Sequence, residues 1–430
     1  MTALAPLLIR LRAAYDGGSA LERLRRLVRC ASVTGLEGAI AVLIEAEMRG
    51  LGIADVARTA FAPGRDNVHG VRRGDRNAPT VLLVGHTDTV HVRGWAERWA
   101  GTPREDPFGG AVIGNELWGR GTADMKVGIA TALGAVALLD RAGIAPACTI
   151  QFAFVGDEES GEPGSGVSAG FKALLPLYDE GVWEQPHLAI YGEPSSLDLY
   201  PAHMGFFIAD IVVRGQSAYF GLPEQGVDAM KAGHAVLGAL WAHSDVVRAR
   251  ATHELIGPGF LVVTSVEAGG LIAVPGECRI SLIRKLVPGE DLDTERQALE
   301  TVVRGAIDDP RVMVTFAYPA GRDHAIGGTP LVVDPAQDPI PLLAAIIQSV
   351  RPEAGRIGPC AGWSEGPFLA ARGVPVVYFS PGDFLHCHTL EERVNLDAYA
   401  DGIVALAAFL ATYGQEAALP FSPRSQEMPL

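Results

Sequence analysis

The residues of this chain whose types and spacing could do chemistry are a few imidazoles and carboxylates: His86-Thr87-Asp88, Asp124, Asp157-Glu158-Glu159, Glu193 and His386-Cys387-His388. In an extended segment residues i and i+2 point the same way, so Asp88 could orient the ring of His86. Three adjacent carboxylates repel one another, and a nearby cation is the natural compensation. Asp124 ends a Gly-rich turn ahead of a helical segment, where an aspartate also serves as a simple cap. Either His386 or His388 could supply the last imidazole. Taken singly, each fragment reads as an ordinary polar turn or a solvated acidic loop. Taken together, carboxylates and imidazoles without thiolates suit Zn²⁺, Mn²⁺ or Co²⁺. Two such ions sharing a carboxylate can activate a water for hydrolysis.

The elements that must position these groups alternate. Apolar runs at 80–84 (TVLLV), 149–155 (TIQFAFV) and 188–191 (LAIY) read as buried parallel strands. Between the first two, 126–142 has Ile129, Leu133 and Val136 on one helical face and Gly143 as a stop. This βαβ pattern places His86, Glu158, Glu159 and Glu193 just beyond strand ends, the edge where open α/β sheets bind ligands. From about His203 the texture changes. Strands are expected at 206–213, 259–266 and 277–284, and helices at 226–241 and 293–307, as in an antiparallel α+β module. The α/β texture returns with a strand at 374–379 and a helix after Leu396. The expected architecture is an α/β catalytic domain with a mainly parallel mixed sheet, formed by 1–201 and 328–430, and an inserted α+β domain at 202–327.

The chain has 430 residues, with 35 Lys+Arg against 50 Asp+Glu and a formal charge of −15. Such acidity disfavours nucleic acid as a partner, because phosphate binding needs a basic stripe. Five scattered cysteines without a CxxC give neither a disulfide framework nor a thiolate zinc site. No run approaches the length of a membrane span, and Arg10 and Arg12 interrupt any signal-peptide core. A soluble cytoplasmic protein acting on a small molecule is expected, with no membrane partner.

The strings GHTDTV (85–90), DPFGG…LWGRGTADMKVG (106–128), GDEESGEPGSG (156–166), YGEPSS (191–196) and HTLEERV (388–394) resemble one metallopeptidase and deacylase family. It includes acetylornithine deacetylase, succinyl-diaminopimelate desuccinylase and glutamate carboxypeptidase. The stretches at 29–39 and 269–277 fit it as well. The resemblance implies a zinc-peptidase-like catalytic domain with an inserted lid that also makes a homodimer or a higher homo-oligomer. It implies one or two divalent transition metal ions (Mn, Zn or Co), with Asp124 bridging, His86 and Glu193 on one side, and Glu159 and His388 on the other. Glu158 would be the general base and Asp88 the partner of His86. A cis peptide after Asp124 is also implied. The implied reaction is hydrolysis of a non-peptide C–N bond in a small carboxylate-bearing substrate, as in N-acyl amino acid deacylases.

The chain departs from the family on the substrate side. Tyr219 stands where a lid histidine is usual, Ala273 replaces the asparagine before the lid's Val-Pro, and Gly362-Trp363-Ser364-Glu365 replaces a Gly-x-x-Asp pattern. Arg284, ending a lid strand, joins Tyr219 and Ala273 as an expected substrate or lid residue. A lost oxyanion donor costs ~10²–10³-fold in amide hydrolysis. The changes therefore also fit an aminohydrolase that displaces the amine of an electron-poor aromatic such as 5-nitroanthranilate. A catalytically inactive metal-holding binding protein is the remaining class, and retention of Glu158 argues against it. Gly362–Gly366 also matches the GxSxG nucleophile elbow, but 356–360 does not read as the strand such an elbow requires.

Overall fold

The structure, a computed structural model, describes residues 4–415 apart from Arg76, 161–163, Ala251 and 270–271. Parts of two stretches singled out above, 161–163 of the acidic loop and 270–271 of the lid segment, thus lie outside the described residues.

A nine-stranded mixed sheet carries the chemistry. Its centre is parallel. Thr80–His86 lies between Thr149–Val155 and Leu188–Tyr191, and Val376–Tyr378 joins Leu188–Tyr191 on the far side. These strands are buried almost throughout, which is why they read as continuous apolar runs rather than alternating ones. An antiparallel hairpin, Ala54–Ala62 and Arg65–Arg72, extends one edge. Leu199–His203, Leu331–Val332 and Ile357–Cys360 complete the other.

Helix Lys126–Ala142 is buried on nearly every side because helix Leu396–Thr412 and the sheet enclose it. Gly143, at φ 63°, ends it in the left-handed conformation that glycine adopts at little cost. Gly128 is required near its start, because a Cβ there would lie 2.3 Å from the carbonyl oxygen of Gly192. That close approach presses the helix onto the strand end that carries Glu193.

A second, five-stranded antiparallel sheet is built from Phe260–Ala268, Glu277–Leu286, Gly205–Arg214, Met313–Ala317 and Gly327–Gly328. Helices Ala229–Arg250 and Leu292–Gly305 pack together, and the former lies against this sheet. The sheet has its own apolar cluster, including Phe207, Ile211, Leu240, Leu282 and Leu299. The chain passes from the first sheet to the second at Met204 and returns between Gly328 and Leu331. The mixed α/β architecture with an inserted lid is the one expected.

Two local expectations change. The segment Ile357–Cys360 is a strand after all, paired in parallel with Leu199–His203, despite the Gly-Pro within it. It sits off the main strand path, where its missing N–H is tolerated. The helix expected at 226–241 runs from Ala229 to Arg250, because its apolar stripe continues through Val247 on the lid sheet. No described helix is long and apolar enough to cross a membrane.

Candidate metal and hydrolytic site

His86 is the last residue of its strand, and Thr87 pins the adjacent strand end by donating both its N–H (2.7 Å) and its hydroxyl (3.0 Å) to the carbonyl of Val155. Asp157-Glu158-Glu159 follows Val155, and Glu193 follows Leu188–Tyr191. The parallel pairing brings all these groups to one edge.

There Asp124 lies between two imidazoles. Its Oδ1 is 3.1 Å from Nε2 of His86, and its Oδ2 is 3.1 Å from Nε2 of His388. His388 Nε2 is also 3.1 Å from Oε1 of Glu159, and His86 Nε2 is 3.9 Å from Oε1 of Glu193. Ligand atoms of His86, Asp124 and Glu159 lie within 4.8 Å of one another, as do those of His86, Glu158 and Glu193. The structure thus gathers His86, Asp124, Glu158, Glu159, Glu193 and His388 into one cluster, with no thiolate among the clustered donors. His386, the other imidazole of that segment, lies instead in a short 3₁₀ turn, Phe384–His386.

Three supports were only partly legible in sequence. The turn that delivers Asp124 is held by Glu392, a fully buried side chain. Its Oε1 accepts the N–H groups of Gly121 (2.9 Å), Ala123 (3.0 Å) and Asp124 (3.1 Å), and its Oε2 takes Nη1 of buried Arg120. The Asp124–Met125 peptide is cis, as the resemblance implies. Glu193 accepts a hydrogen bond from the Ser364 hydroxyl at 2.8 Å. Ser364 is thereby engaged with a carboxylate, while the neighbouring His388 is committed to Asp124 and Glu159. The strand at Ile357–Cys360 does not turn Gly362–Gly366 into a nucleophile elbow.

Asp88 acts differently from the expected ring partner. Nδ1 of His86 donates to the backbone carbonyl of Asp88 at 2.9 Å, while the Asp88 carboxylate is 3.7 Å away. That carboxylate instead accepts the N–H groups of Glu159 (3.0 Å) and Glu158 (3.3 Å) and the Thr34 hydroxyl (3.0 Å). Asp88 therefore sets the loop that carries Glu158 and Glu159. His86 keeps Nε2 as the nitrogen facing the cluster, with its tautomer fixed by the carbonyl. Asp157 also leaves the cluster. It takes Arg65 at 2.8 Å and the N–H groups of Gly166, Val167 and Ala169, so two rather than three of the adjacent carboxylates face the imidazoles.

Electrostatics record the crowding. Burial pushes the Glu158 carboxyl well above the usual carboxylate range and Glu193 up to about 8. Asp88 rises to about 6 by burial, and Glu365, which accepts the Tyr191 hydroxyl at 2.7 Å, rises to about 7 for the same reason. Burial also opposes ionisation of Asp124, but hydrogen bonds from His388 and His86 outweigh it and hold the carboxyl low. In the same pairs, His388 is driven up to about 11 against the opposing effect of burial. Neighbouring carboxylates raise His86 as well, against the opposing effect of burial, so the cluster draws positive charge toward both imidazoles. The geometry and donor chemistry fit a divalent ion in place of those protons.

Beyond the cluster opens a cavity of about 230 Å³ whose other walls include Phe206, Lys285, Arg322, Trp363 and Phe384. The expected substrate residues do not line it. Arg284 is buried on the other face of its strand with Glu290 and Glu295 at 2.5 and 3.0 Å. Tyr219 is 62% exposed, rests on Phe220 with ring centroids 4.5 Å apart, and pairs through its backbone with Ala273.

The sequence resembles succinyl-diaminopimelate desuccinylases from Gluconacetobacter diazotrophicus (29% identity, covering 84% of this chain and 88% of that one) and Gluconobacter oxydans (26%, covering 91% and 96%). Among solved structures, the dipeptidase Dug1p of Saccharomyces cerevisiae superimposes with a TM-score of 0.74 at 14% identity, covering 96% of this chain and 99% of that one. The pattern of peptidase family M20/M25/M40 matches residues 82–412, most of the chain and every residue of the cluster. The chain belongs to peptidase family M20/M25/M40.

Proposed function

We propose that the chain is a metal-dependent hydrolase that cleaves a non-peptide C–N bond of a small carboxylate-bearing substrate, in the manner of an N-acyl amino acid deacylase. The observation that carries this reading is Glu158, a carboxyl raised by burial, standing beside His86 and Glu193 and lining the cavity. Divalent Mn, Zn or Co bound by His86, Asp124, Glu159, Glu193 and His388 would supply Lewis acidity toward water and a substrate oxygen. Positive charge held there would lower the Glu158 carboxyl from its elevated value toward the range where a shuttle works. Glu158 takes a proton from the attacking water and delivers it to the leaving nitrogen, so the amine departs neutral. Asp88 keeps Glu158 within reach by holding its backbone N–H. Dialysis against a chelator should abolish turnover of N-acyl amino acids, and one of the three ions should restore it. Full turnover by metal-free protein would remove this reading.

A second reading has its own observation. Phe206, Trp363 and Phe384 give the cavity aromatic walls, and the lid carries Tyr219 rather than a histidine. Those features suit an arylamine whose developing charge spreads into its ring, as in 5-nitroanthranilate hydrolysis. A side-by-side assay of N-acyl amino acids and electron-poor aromatic amines separates the two. Tyr219→His should raise amide hydrolysis if the missing donor is why amides are refused.

We also propose a homodimer through the lid. Strand Phe260–Ala268 ends its sheet with Val262 and Val266 about half exposed, at 46% and 48%. Such an edge is open to pairing with a second copy.

A further inference from the structure

His388 is the exposed member of the cluster, with 54% of its side chain open, and its backbone sits at φ 59°. That left-handed conformation is uncommon outside glycine and persists where the surroundings hold a residue in it. The other clustered donors stand at or just beyond strand ends, or in the turn that enters helix Lys126–Ala142. His388 lies on an irregular stretch, so what fixes it comes from the chain on either side.

Two residues on, the carbonyl of Leu390 accepts the indole N–H of Trp99 at 2.6 Å. Trp99 ends the short helix Trp95–Trp99, which follows the loop leaving His86. With Trp95 and Trp118 it forms a small apolar cluster apart from the main core, and Leu390 packs on that cluster. The Trp99 ring is itself fixed. It meets Trp118 edge-on with centroids 5.7 Å apart, and the guanidiniums of Arg104 and Arg98 lie 3.7 and 4.7 Å from its centre. Arg104 also lies 4.4 Å from the Trp118 ring, so both indoles share its charge. Arg98 in turn pairs with Glu391 at 3.0 Å.

The three indole N–H groups are used differently. Trp95 donates to the carbonyl of Arg104 at 2.8 Å, within its own loop. The Trp118 N–H is buried without a partner among the described residues. Trp99 alone of the three reaches the segment that carries His388. Farther along that segment, Glu392 holds Arg120, and Arg393–Asn395 pairs with Glu116–Trp118. Loss of the Trp99 bond would therefore loosen His388 while leaving the turn at Asp124 held.

We propose that Trp99, fixed by Arg104, is a positioning residue for the metal centre, its hydrogen bond to Leu390 setting where His388 presents Nε2 to Asp124 and Glu159. This rests on the reading of the cluster as a metal centre. Trp99 touches neither the ligand atoms nor the cavity, and it acts through the backbone behind a ligand.

Calorimetric titration of the metal-free full-length protein with Zn²⁺ tests this with no reaction. Trp99→Phe keeps a ring in the cluster and removes the donor, so at least one Zn²⁺ should bind ~10–100-fold more weakly, as expected when a group behind a metal ligand is lost. Trp95→Phe is the control. It gives up a comparable hydrogen bond in the same cluster, and its Zn²⁺ affinity should remain that of wild type. Should Trp99→Phe not fold, Arg104→Met, which removes the stacked cation, should weaken Zn²⁺ in the same direction by a smaller factor. Wild-type Zn²⁺ affinity in Trp99→Phe, or in Arg104→Met where that variant stands in, would overturn the proposal. So would equal weakening in Trp99→Phe and Trp95→Phe, the mark of a merely structural role. Failure of the hydrolase reading shows elsewhere, as turnover that survives removal of the metal whatever the Zn²⁺ affinities.

Discussion

Glu392 offers the sharpest test of how the site is held. Its carboxylate accepts three backbone N–H groups from the turn ending at Asp124 and also compensates Arg120, all out of contact with water. Glu392→Gln keeps the volume but has one acceptor oxygen for two sets of donors. If that oxygen serves the turn, the amide NH₂ faces the guanidinium; if it serves Arg120, three N–H groups face a donor. Breaking a buried pair by removing one partner costs ~3–5 kcal/mol. Against a typical total of ~5–15 kcal/mol, that is a third or more of the stability. The second consequence is local. Asp124 sits within 3.1 Å of both imidazoles, and a shift of ~1 Å at a reacting centre can cost ~10²-fold in rate. Urea unfolding should show a midpoint well below wild type, and turnover at matched metal content should fall by ~10²-fold. A variant within ~1 kcal/mol of wild type that turns over normally would refute the claim that Glu392 positions Asp124.

Ser364→Ala removes the hydrogen bond to Glu193 and should weaken metal binding ~10–100-fold while activity survives at saturating metal; complete loss at full occupancy would instead favour a serine nucleophile. Asp88→Asn takes charge from the acceptor of the Glu158 and Glu159 N–H groups, so turnover should drop ~10-fold or more with little change in bound metal, as elemental analysis and initial rates would show.

What could be read from the sequence was what repeats or has one simple partner. The helix Lys126–Ala142 and the strands Thr149–Val155 and Leu188–Tyr191 have the expected ends, because apolar runs bounded by glycine or acids leave little choice. The ends of those strands pointed to the residues that the fold gathers. The hairpin Ala54–Arg72 was not anticipated, since its first strand is half-exposed and its turn uses Pro63-Gly64 amid polar residues. Asp88 was identified with the right neighbourhood but the wrong contact, because an i, i+2 spacing does not distinguish a carboxylate from the backbone carbonyl of the same residue. Arg284 and Lys285 show a related limit. Strand alternation says that they face opposite sides, but only the packed lid says which side is the cavity. Arg322 lies in an irregular loop with no periodicity, so nothing local marked it.

The account stands or falls on Glu158 moving the proton beside a cation-holding cluster. The direct measurement is turnover of Glu158→Gln against wild type at equal, elementally determined metal content. A shuttle contributes ~10²–10⁴-fold, so the variant should bind metal as wild type does and lose at least ~10²-fold in turnover. Equal turnover by the two proteins at equal metal content would contradict it.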